Sequence, residues 1–355
     1  MNKLVIVSTE IQSGRGGIQS ALKAYCEGFD EINVNYELIE SHNDDDLLKL
    51  KWLSSFWKIV IISVRYKNEN VIFWFHSAKW LSLFRKFSLS IIAKMFGHRV
   101  VNHIHSPATA NYLKNTFSRF ILRILLSPFN NLVVLTPWWE RKFKQYGFSQ
   151  NILVSANPNS RQLFNLATKK LGKFSHTSAA IKITDEKIRI LSMARLIEGK
   201  GFDLVIRAML LLPDHFELTI AGAGPLQASL QSLCSQLKLN NRVKFLGWVE
   251  EEDKSTIFDS HHLFCLPSRY DSFGMVFIEA MANNLPVIGL HLGPMPDIIT
   301  EETGLLCQSE TDACVAENIQ SIARNINQFH LFGPRIVLEK YRPIDAAKRI
   351  VKLFN

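Results

Sequence analysis

The chain has 355 residues, of which 47% are hydrophobic and 21% charged, and its formal net charge is +9. This length exceeds one ordinary core and fits two domains of about 150 to 180 residues. The sequence has no repeats or low-complexity tracts, which is typical of a folded enzyme.

Three features bear on the cellular compartment. Lysines interrupt the most hydrophobic segments, so no run reaches the roughly 18 apolar residues of a membrane-spanning helix. The apolar run Leu4–Val7 is far shorter than the core of a secretory signal and is typical of a buried first strand. The five cysteines lack paired or metal-type spacing, which indicates reduced thiols in the cytoplasm.

In the first half, residues 1–166, strand-like runs alternate with helical patterns and predict a parallel α/β domain. The predicted strands are Lys3–Thr9, Tyr36–Ile39, Val71–Phe75, Arg99–Ile104, Leu132–Leu135 and Asn151–Val154. The polar stretch 167–187, rich in Lys, Ser and Thr, is the predicted linker between the two domains.

The second half, residues 188–335, alternates more regularly. Its predicted strands are Arg189–Met193, Glu217–Ala221, Val243–Leu246, Leu263–Leu266 and Val287–Gly289. Its predicted helices are Gly201–Leu212, Leu226–Leu237, Glu251–Asp259 and Val276–Ala282. This succession predicts a doubly wound sheet, in which ligands bind at the carboxyl ends of the strands. The C-terminal segment 336–355 ends in an amphipathic helix that we expect to pack back on the first domain.

The positive charge is concentrated in residues 49–144, which hold 16 basic and two acidic residues and six of the seven tryptophans. Basic residues interleaved with Trp and Phe, as from Lys79 to Met95, favour an anionic membrane surface as a partner. An ordinary helix with its apolar side in the core is the alternative. We expect no nucleic-acid binding, because no binding-module signature occurs.

Two cations, Arg195 and Lys200, follow the first strand of the second half. An arginine fork suits a diphosphate because it donates two hydrogen bonds, and a lysine adds a mobile charge. A pair of solvated surface cations is the alternative interpretation.

A second loop, around Gly274, precedes the helix Val276–Ala282. A glycine here lets backbone N–H groups approach an anion at the positive end of the helix. Asp271 in the loop and Glu279 in the helix can face the same crevice. Alternatively, Asp271 caps the helix and Glu279 is a surface acid.

Five segments between residues 188 and 308 occur in the order and spacing of one known family. They read LSMARLIEGKGFD, LTIAGAGPLQASLQSL, RVKFLGWV, LPSRYDSFGMVFIEAMANNLPVIG and GPMPDIITEETGLL. The chain thereby resembles retaining glycosyltransferase family 4, the glycosyl transferases of group 1. The first half resembles it more loosely, through Gly16-Gly17-Ile18, His103-Ile104-His105, LTPWWERKFKQYGF and Asn157-Pro158. The resemblance implies the GT-B fold: α/β, with two doubly wound Rossmann-like domains facing across a cleft.

The resemblance also implies roles for the residues of the second half. Arg195 and Lys200 would neutralise the donor diphosphate and stabilise it as it leaves. Glu279 would accept hydrogen bonds from the ribose hydroxyls, and Asp271 would bind hydroxyls of the transferred sugar. The donor-binding backbone amides would be those of Phe273, Gly274 and Met275.

In the first half, Gly16 and Gly17 resemble the loop whose backbone closes onto the donor phosphates. His105 is the better match to the active-site histidine of the family, with His103 as the alternative. One of its ring nitrogens would reach the sugar or the acceptor.

The sequence departs from the family at three places. Asp271 stands where Glu is usual, which sets the carboxylate back by one methylene and could change the donor preference. Asn284 replaces a helix-ending Gly, a mild change because Asn tolerates a positive φ. Pro294 and Asp297 replace the usual Gly and Glu, so the role of that segment is less defined.

These features and the resemblance together predict a hexosyltransferase, and the resemblance implies that it retains the anomeric configuration. The donor would be a nucleotide-diphosphate sugar, with UDP favoured over GDP, and the acceptor a lipid-linked glycan of surface polysaccharide biosynthesis, O-antigen or capsule-like. We expect the enzyme at the inner face of the cytoplasmic membrane, as a peripheral protein. No cofactor or essential metal is expected, because basic residues already supply the charge that a metal would bring.

Several alternatives remain at this stage. The acidic triplet Asp44-Asp45-Asp46 has the composition of a metal site, although helix capping explains it more simply. A nucleotide-sugar epimerase or a sugar phosphorylase could use the same fold. A non-catalytic adaptor that binds membranes or nucleic acid through its basic surface is the alternative outside enzymes.

Overall fold

The computed structural model describes residues 2–9, 17–41, 50–175 and 187–354. The chain divides into two compact units. Unit 1 contains Met1–Arg161 and Tyr341–Asn355, and unit 2 contains Gln162–Lys340. Each unit is built on a six-stranded sheet in which all paired strands are parallel, as predicted for two α/β domains.

The sheet of unit 1 has the strand order β2-β1-β3-β4-β5-β6. Its strands are β1 (Asn2–Ser8), β2 (Tyr36–Glu40), β3 (Asn70–Ser77), β4 (Arg99–Ile104), β5 (Asn131–Val134) and β6 (Asn151–Val154). Its helices are α1 (Gly17–Glu31), α2 (Leu50–Arg65), α3 (Trp80–Met95), α4 (Thr109–Lys114), α5 (Thr116–Leu126) and α6 (Pro137–Gln145). The strand order reverses between β1 and β3, which makes their carboxyl ends the expected ligand-binding edge of this sheet.

The C-terminal segment belongs to unit 1. Helix α14 (Pro343–Val351) packs against α1, and Ile350 joins a buried cluster with Tyr25 and Trp74. The two helices cross closely at Gly28, where a Cβ would lie 2.3 Å from the carbonyl oxygen of Pro343. A side chain at this position would push the helices apart, so the crossing requires glycine.

The predicted linker 167–187 is partly wrong. Helix α7 (Arg161–Ser175) extends nine residues into it. Leu163, Ala167 and Leu171 recur every four residues, and Ala167 is fully buried. This apolar side was hidden among the Lys and Thr residues that suggested a linker. Residues 176–186 lie outside the described residues.

The sheet of unit 2 has the order β12-β11-β10-β7-β8-β9. Its strands are β7 (Ile188–Met193), β8 (Phe216–Ala221), β9 (Val243–Gly247), β10 (Leu263–Cys265), β11 (Val287–Leu290) and β12 (Gly304–Cys307). Its further helices are α8 (Phe202–Ala208), α9 (Gln227–Gln236), α10 (Glu251–Asp259), α11 (Met275–Ala282), α12 (Asp312–Arg324) and α13 (Phe332–Lys340). This is the doubly wound order, and it reverses between β7 and β10.

The end of α11 shows why one departure from the family is tolerated. Asn284 has a φ of 65°, the left-handed region that glycine and asparagine adopt most easily. Its side-chain oxygen accepts a hydrogen bond from the backbone N–H of Leu331 at 2.8 Å. Asparagine therefore replaces glycine here and adds a link to the segment before α13.

Two sequence expectations about thiols and membrane spans can be compared with the structure. All five cysteines are free thiols. Within the described ranges, no helix combines the length and the apolar character that crossing a bilayer requires.

Candidate functional site

The two loops predicted to carry chemistry in unit 2 flank the point where its strand order reverses. Arg195 and Lys200 follow β7, whereas Asp271 and Gly274 follow β10. Strands β7 and β10 are hydrogen-bonded neighbours. The carboxyl ends of such a strand pair are where open α/β sheets bind ligands.

Lys200 and Asp271 form an ion pair. The Nζ atom of Lys200 lies 2.7 Å from Oδ1 of Asp271, and each side chain is only 14% exposed. The second oxygen of Asp271, Oδ2, is buried and has no hydrogen-bond partner in the described part of the chain. One carboxylate oxygen thus holds the lysine, and the other can accept a hydrogen bond from a ligand.

Asp271 is not the helix cap that the alternative interpretation proposed. The residue at the N-cap of α11 is Gly274, and no side chain caps this helix end. Gly274 has a φ of 80°, and a Cβ on it would lie 2.8 Å from the ring of Phe277. The N–H of Phe277 donates to the carbonyl oxygen of Gly274 at 3.0 Å. The first N–H groups of a helix, which here starts at Met275, in general lack i−4 acceptors and create a positive end that suits an anion.

Glycines fix the β7 loop against the β10 loop. Gly201 has a φ of 77°, and a Cβ on it would lie 2.1 Å from the carbonyl oxygen of Pro267. The carbonyl oxygen of Gly199 accepts a hydrogen bond from the backbone N–H of Arg269 at 2.7 Å. These backbone contacts bring Lys200 within reach of Asp271 although the two residues are distant in sequence.

Arg195 differs from Lys200 in its surroundings. Arg195 is exposed, and its guanidinium makes no hydrogen bond or ion pair within the described ranges. The two cations predicted to act together thus lie in the same loop, one held by a carboxylate and the other free to meet an anion.

Glu279 pairs with a residue that the sequence reasoning missed. Its Oε2 atom lies 3.1 Å from Nζ of Lys254 on α10, and that lysine also lies 2.8 Å from Glu251. The Glu279 side chain is 17% exposed, which does not fit a solvated surface acid. Burial raises the pKa of Glu279, whereas the charge of Lys254 opposes that rise. The only sequence signal for Lys254 is that it follows Glu251 by three residues within one predicted helix, a spacing that allows those two side chains to pair.

In unit 1, strands β3 and β4 bring three histidines together. His76 is the register partner of His103, and His105 lies two residues after His103, directly past the end of β4. Nδ1 of His76 is 2.9 Å from Nε2 of His105. Burial lowers the pKa of all three rings, that of His105 to about 3. The sequence analysis singled out His103 and His105 but missed His76, whose only signal is its position at the end of a buried strand.

The glycine pair predicted for the phosphate loop is only partly described. Gly17 is the first residue of α1 and is exposed. Gly16 and the acidic triplet Asp44-Asp45-Asp46 lie outside the described residues.

A buried cation lies on the basic-aromatic helix. Lys86 on α3 is fully buried and donates a hydrogen bond to Oγ of Ser41. Burial lowers its pKa to about 7. This lysine was counted with the surface cations at the sequence level, so that interpretation is wrong for Lys86.

Part of the chain matches a known protein family. Residues 174–331 match the family model described as glycosyl transferases group 1. This region contains the Lys200–Asp271 pair, Arg195 and Glu279, and it lies entirely within unit 2.

Three relatives are similar over longer stretches. An uncharacterized glycosyltransferase of Haemophilus influenzae is 27% identical over 69% of this chain and 64% of its own length. An uncharacterized glycosyltransferase of Methanocaldococcus jannaschii is 36% identical over 50% of this chain and 47% of its own length. An uncharacterized 41.2 kDa protein in the cps region of Klebsiella pneumoniae is 25% identical over 85% and 83%. The chain thus spans less than two thirds of the first two relatives.

Solved structures resemble the whole chain. Sucrose-phosphate synthase from Thermosynechococcus elongatus has a TM-score of 0.76 and 18% identity, covering 100% of this chain and 98% of its own. Anabaena HepE in complex with UDP and glucose has a TM-score of 0.73 and 16% identity, covering 99% of this chain and 98% of its own. The lipopolysaccharide outer core galactosyltransferase WaaB has a TM-score of 0.69 and 14% identity, covering 99% and 98%. These likenesses show the GT-B fold.

Proposed function

We propose that the protein is a retaining hexosyltransferase of family 4 that uses a nucleotide-diphosphate sugar. The observation that carries the proposal is the Lys200–Asp271 pair beside the free Arg195, at the point where the strand order of unit 2 reverses. The pair lies within the region that matches glycosyl transferases group 1. Retention of the anomeric configuration follows from the resemblance to family 4.

The diphosphate is assigned to the cations and to the start of α11. As the bond to the sugar breaks, negative charge grows on the leaving diphosphate, and fixed positive groups stabilise that charge. Arg195 and Lys200 supply it, and the first turn of α11 adds backbone N–H donors. Because these groups already provide positive charge, we propose that no divalent metal is needed at the diphosphate.

The two carboxylates are assigned to the hydroxyl groups of the donor. Oδ2 of Asp271 is a buried acceptor without a partner among the described residues, which suits a sugar hydroxyl. Glu279 uses only Oε2 for Lys254, so Oε1 can accept from the ribose. We favour UDP as the nucleotide, since a structural neighbour binds UDP.

Unit 1 is assigned the acceptor, with His105 as the residue that contacts the sugar or the acceptor. We propose a lipid-linked glycan from a surface polysaccharide pathway, O-antigen or capsule-like. Two names support this class: a relative comes from a cps region, and a structural neighbour is a lipopolysaccharide galactosyltransferase.

A lipid-linked acceptor requires access to a membrane surface, and three helices of unit 1 have the composition for it. Helix α3 contacts both α2 and α5, and none of the three contains an acidic residue. Their exposed large apolar residues form what we term the apolar helix face: Leu53, Trp57, Ile61, Val64, Leu81, Phe84, Ile91, Met95, Phe117, Phe120 and Ile124.

We propose that the apolar helix face binds the anionic inner surface of the cytoplasmic membrane as a peripheral contact. Large exposed apolar patches mark interaction surfaces. Exposed cations such as Lys58 and Arg65 on α2 would attract anionic head groups, while the apolar side chains enter the interface.

A panel of activated sugars tests the donor assignment. We expect UDP-hexoses to raise the melting temperature of the protein more than GDP-sugars do, and one UDP-hexose to be consumed when a lipid-linked glycan is added. The Lys200→Ala variant should lose the thermal shift, whereas Lys187→Ala, which removes a surface ion pair with Glu217 in the same unit, should keep it. Equal shifts for both variants would contradict the assignment. Release of an epimer or a sugar 1-phosphate would identify an epimerase or a phosphorylase instead.

A further inference from the structure

The three histidines of unit 1 leave an unusual number of buried nitrogens without partners. The side chains of His76, His103 and His105 are nine-tenths or more buried. Nε2 of His76, both ring nitrogens of His103 and Nδ1 of His105 have no hydrogen-bond partner in the described part of the chain. Buried polar atoms in native proteins are nearly always paired, so this group requires an explanation.

The geometry of the three rings is that of converging ligands. One nitrogen from each ring can be chosen so that all three lie within 4.8 Å of one another. In tetrahedral zinc sites the Zn–N distance is about 2.0–2.1 Å, which separates ligand nitrogens by roughly 3.3 Å. Nδ1 of His76 and Nε2 of His105 lie 2.9 Å apart as a hydrogen-bonded pair, so a metal ion held by both nitrogens would replace that hydrogen bond.

We propose that His76, His103 and His105 form a binding site for a borderline transition-metal ion, with Zn²⁺ as the expected occupant. His76 and His103 are register partners on neighbouring strands, and His105 follows directly after β4, so the sheet fixes the backbone positions of the ligands. Imidazole nitrogens select zinc, cobalt, nickel and copper over Mg²⁺ and Ca²⁺, which require oxygen ligands. Three protein ligands leave a fourth position open.

The surroundings indicate what occupies that fourth position. The group contains imidazoles only, so the protein ligands do not neutralise the charge of the metal. An anion such as hydroxide or phosphate is therefore favoured over a neutral water as the fourth ligand.

The site has a consequence for transfer that rests on the proposed function. If His105 contacts the sugar or the acceptor, a metal bound to its nitrogen removes that contact. Zn²⁺ should then inhibit the transfer, in contrast to a metal that bridges the diphosphate. Metal binding itself is measured without donor or acceptor, so failure of the proposed function would leave this site unaffected.

Direct metal binding by the full-length, tag-free protein is the test. We expect one Zn²⁺ per chain in competition with a chromophoric chelator, and X-ray absorption of the zinc-loaded protein should show three imidazole ligands. Co²⁺ should give the visible absorption of a four-coordinate site. Lack of stoichiometric binding, or a spectrum with fewer than two imidazoles, would overturn the proposal.

Variants locate the site. His76→Gln and His103→Gln should each weaken Zn²⁺ binding at least about 100-fold, since removing even an outer partner of a metal ligand typically costs 10- to 100-fold. The matched control is His98→Gln, a buried histidine of the same unit that bonds to the carbonyl oxygen of Ser63, and it should bind as the wild type does. Unchanged binding by the first two variants would contradict the assignment. If they fail to fold, the ligand count from the wild-type spectrum decides.

Discussion

The Nζ atom of Lys200 lies 2.7 Å from Oδ1 of Asp271, although the two residues come from loops after different strands of unit 2. Each of the two side chains is only 14% exposed. A carboxylate that holds a cation at a ligand-binding edge keeps that cation in position before the ligand arrives. The ion pair thus links the diphosphate and sugar assignments in a single contact.

Removing the lysine should therefore reduce catalysis more than stability. We expect Lys200→Ala to lower kcat by about 100-fold or more, because a fixed charge that stabilises the leaving group is lost. Steady-state kinetics with the identified donor measures the change, and circular dichroism checks the fold. The control is Lys187→Ala, which removes an exposed lysine from another ion pair of the same unit. Transfer by Lys200→Ala at the wild-type rate would refute the role of Lys200.

Lys254 should set the pH range in which Glu279 binds the donor. The positive charge of Lys254 lowers the pKa of Glu279 against the effect of burial, so Lys254→Ala should raise that pKa. A protonated Glu279 has lost one of its acceptor oxygens, and donor binding should weaken as the pH falls through the pKa. We expect the acid limb of donor affinity in the variant to lie at higher pH than in the wild type.

Thermal shifts with UDP across a pH series measure this displacement. Glu279→Gln should flatten the acid limb, since an amide does not titrate in this range. Lys244→Ala, in which a lysine of β9 is removed, provides a control without an expected displacement. If the acid limb stays at the same pH in Lys254→Ala, the proposed coupling between the two side chains is wrong.

The fold could be predicted closely from the sequence because buried parallel strands are continuous apolar runs bounded by polar residues. The strand Arg99–Ile104 and the helix Glu251–Asp259 have the predicted bounds. The predicted linker failed at α7, where Ala167 and its apolar neighbours were outnumbered by polar residues. Local composition alone does not show which side of such a helix becomes buried.

The site was predictable only in part. Asp271 and Lys200 were recognised separately, but a contact between residues so distant in sequence depends on the sheet order. Lys254, His76 and Lys86 were missed for the same reason: each is defined by a partner or by burial that other elements supply. The sequence of a helix with several basic residues does not show which lysine is buried, so the burial of Lys86 could not be predicted.

The apolar helix face should decide membrane binding. Replacing Leu81 and Phe84 on α3 by Glu removes two exposed apolar side chains and adds two negative charges. We expect this variant to sediment with anionic liposomes at least about 10-fold less than the wild type, because each apolar contact and each charge contributes of order 1 kcal/mol.

The matched control for this surface lies in unit 2. Leu211 is an exposed leucine, and Leu211→Glu should leave liposome binding unchanged. Neutral liposomes and high salt should both weaken binding by the wild type, since the attraction of the cations is screened. Equal sedimentation of all three proteins would exclude the apolar helix face as the lipid contact.

Lys86 should make the stability of unit 1 depend on pH. Its pKa is lowered to about 7 in the folded protein, whereas a lysine in the unfolded chain has a pKa of about 10.4. Between these values the unfolded chain binds more protons, so the contribution of Lys86 to stability rises as the pH increases from 7 to 10. Below pH 7 both states are protonated, and the full cost of burying the charge remains.

The Lys86→Met variant isolates this effect, because methionine fills a similar volume without a charge. We expect it to be more stable than the wild type at pH 7 by about 1 to 3 kcal/mol, and the difference to shrink towards pH 10. Urea unfolding followed by tryptophan fluorescence reports mainly on unit 1, since six of the seven tryptophans lie in residues 49–144. The control Lys58→Met removes an exposed lysine from α2 and should change stability equally at both pH values. A variant less stable than the wild type at pH 7, or a difference that does not vary with pH, would mean that Lys86 keeps its charge in the folded protein through a partner that stabilises it.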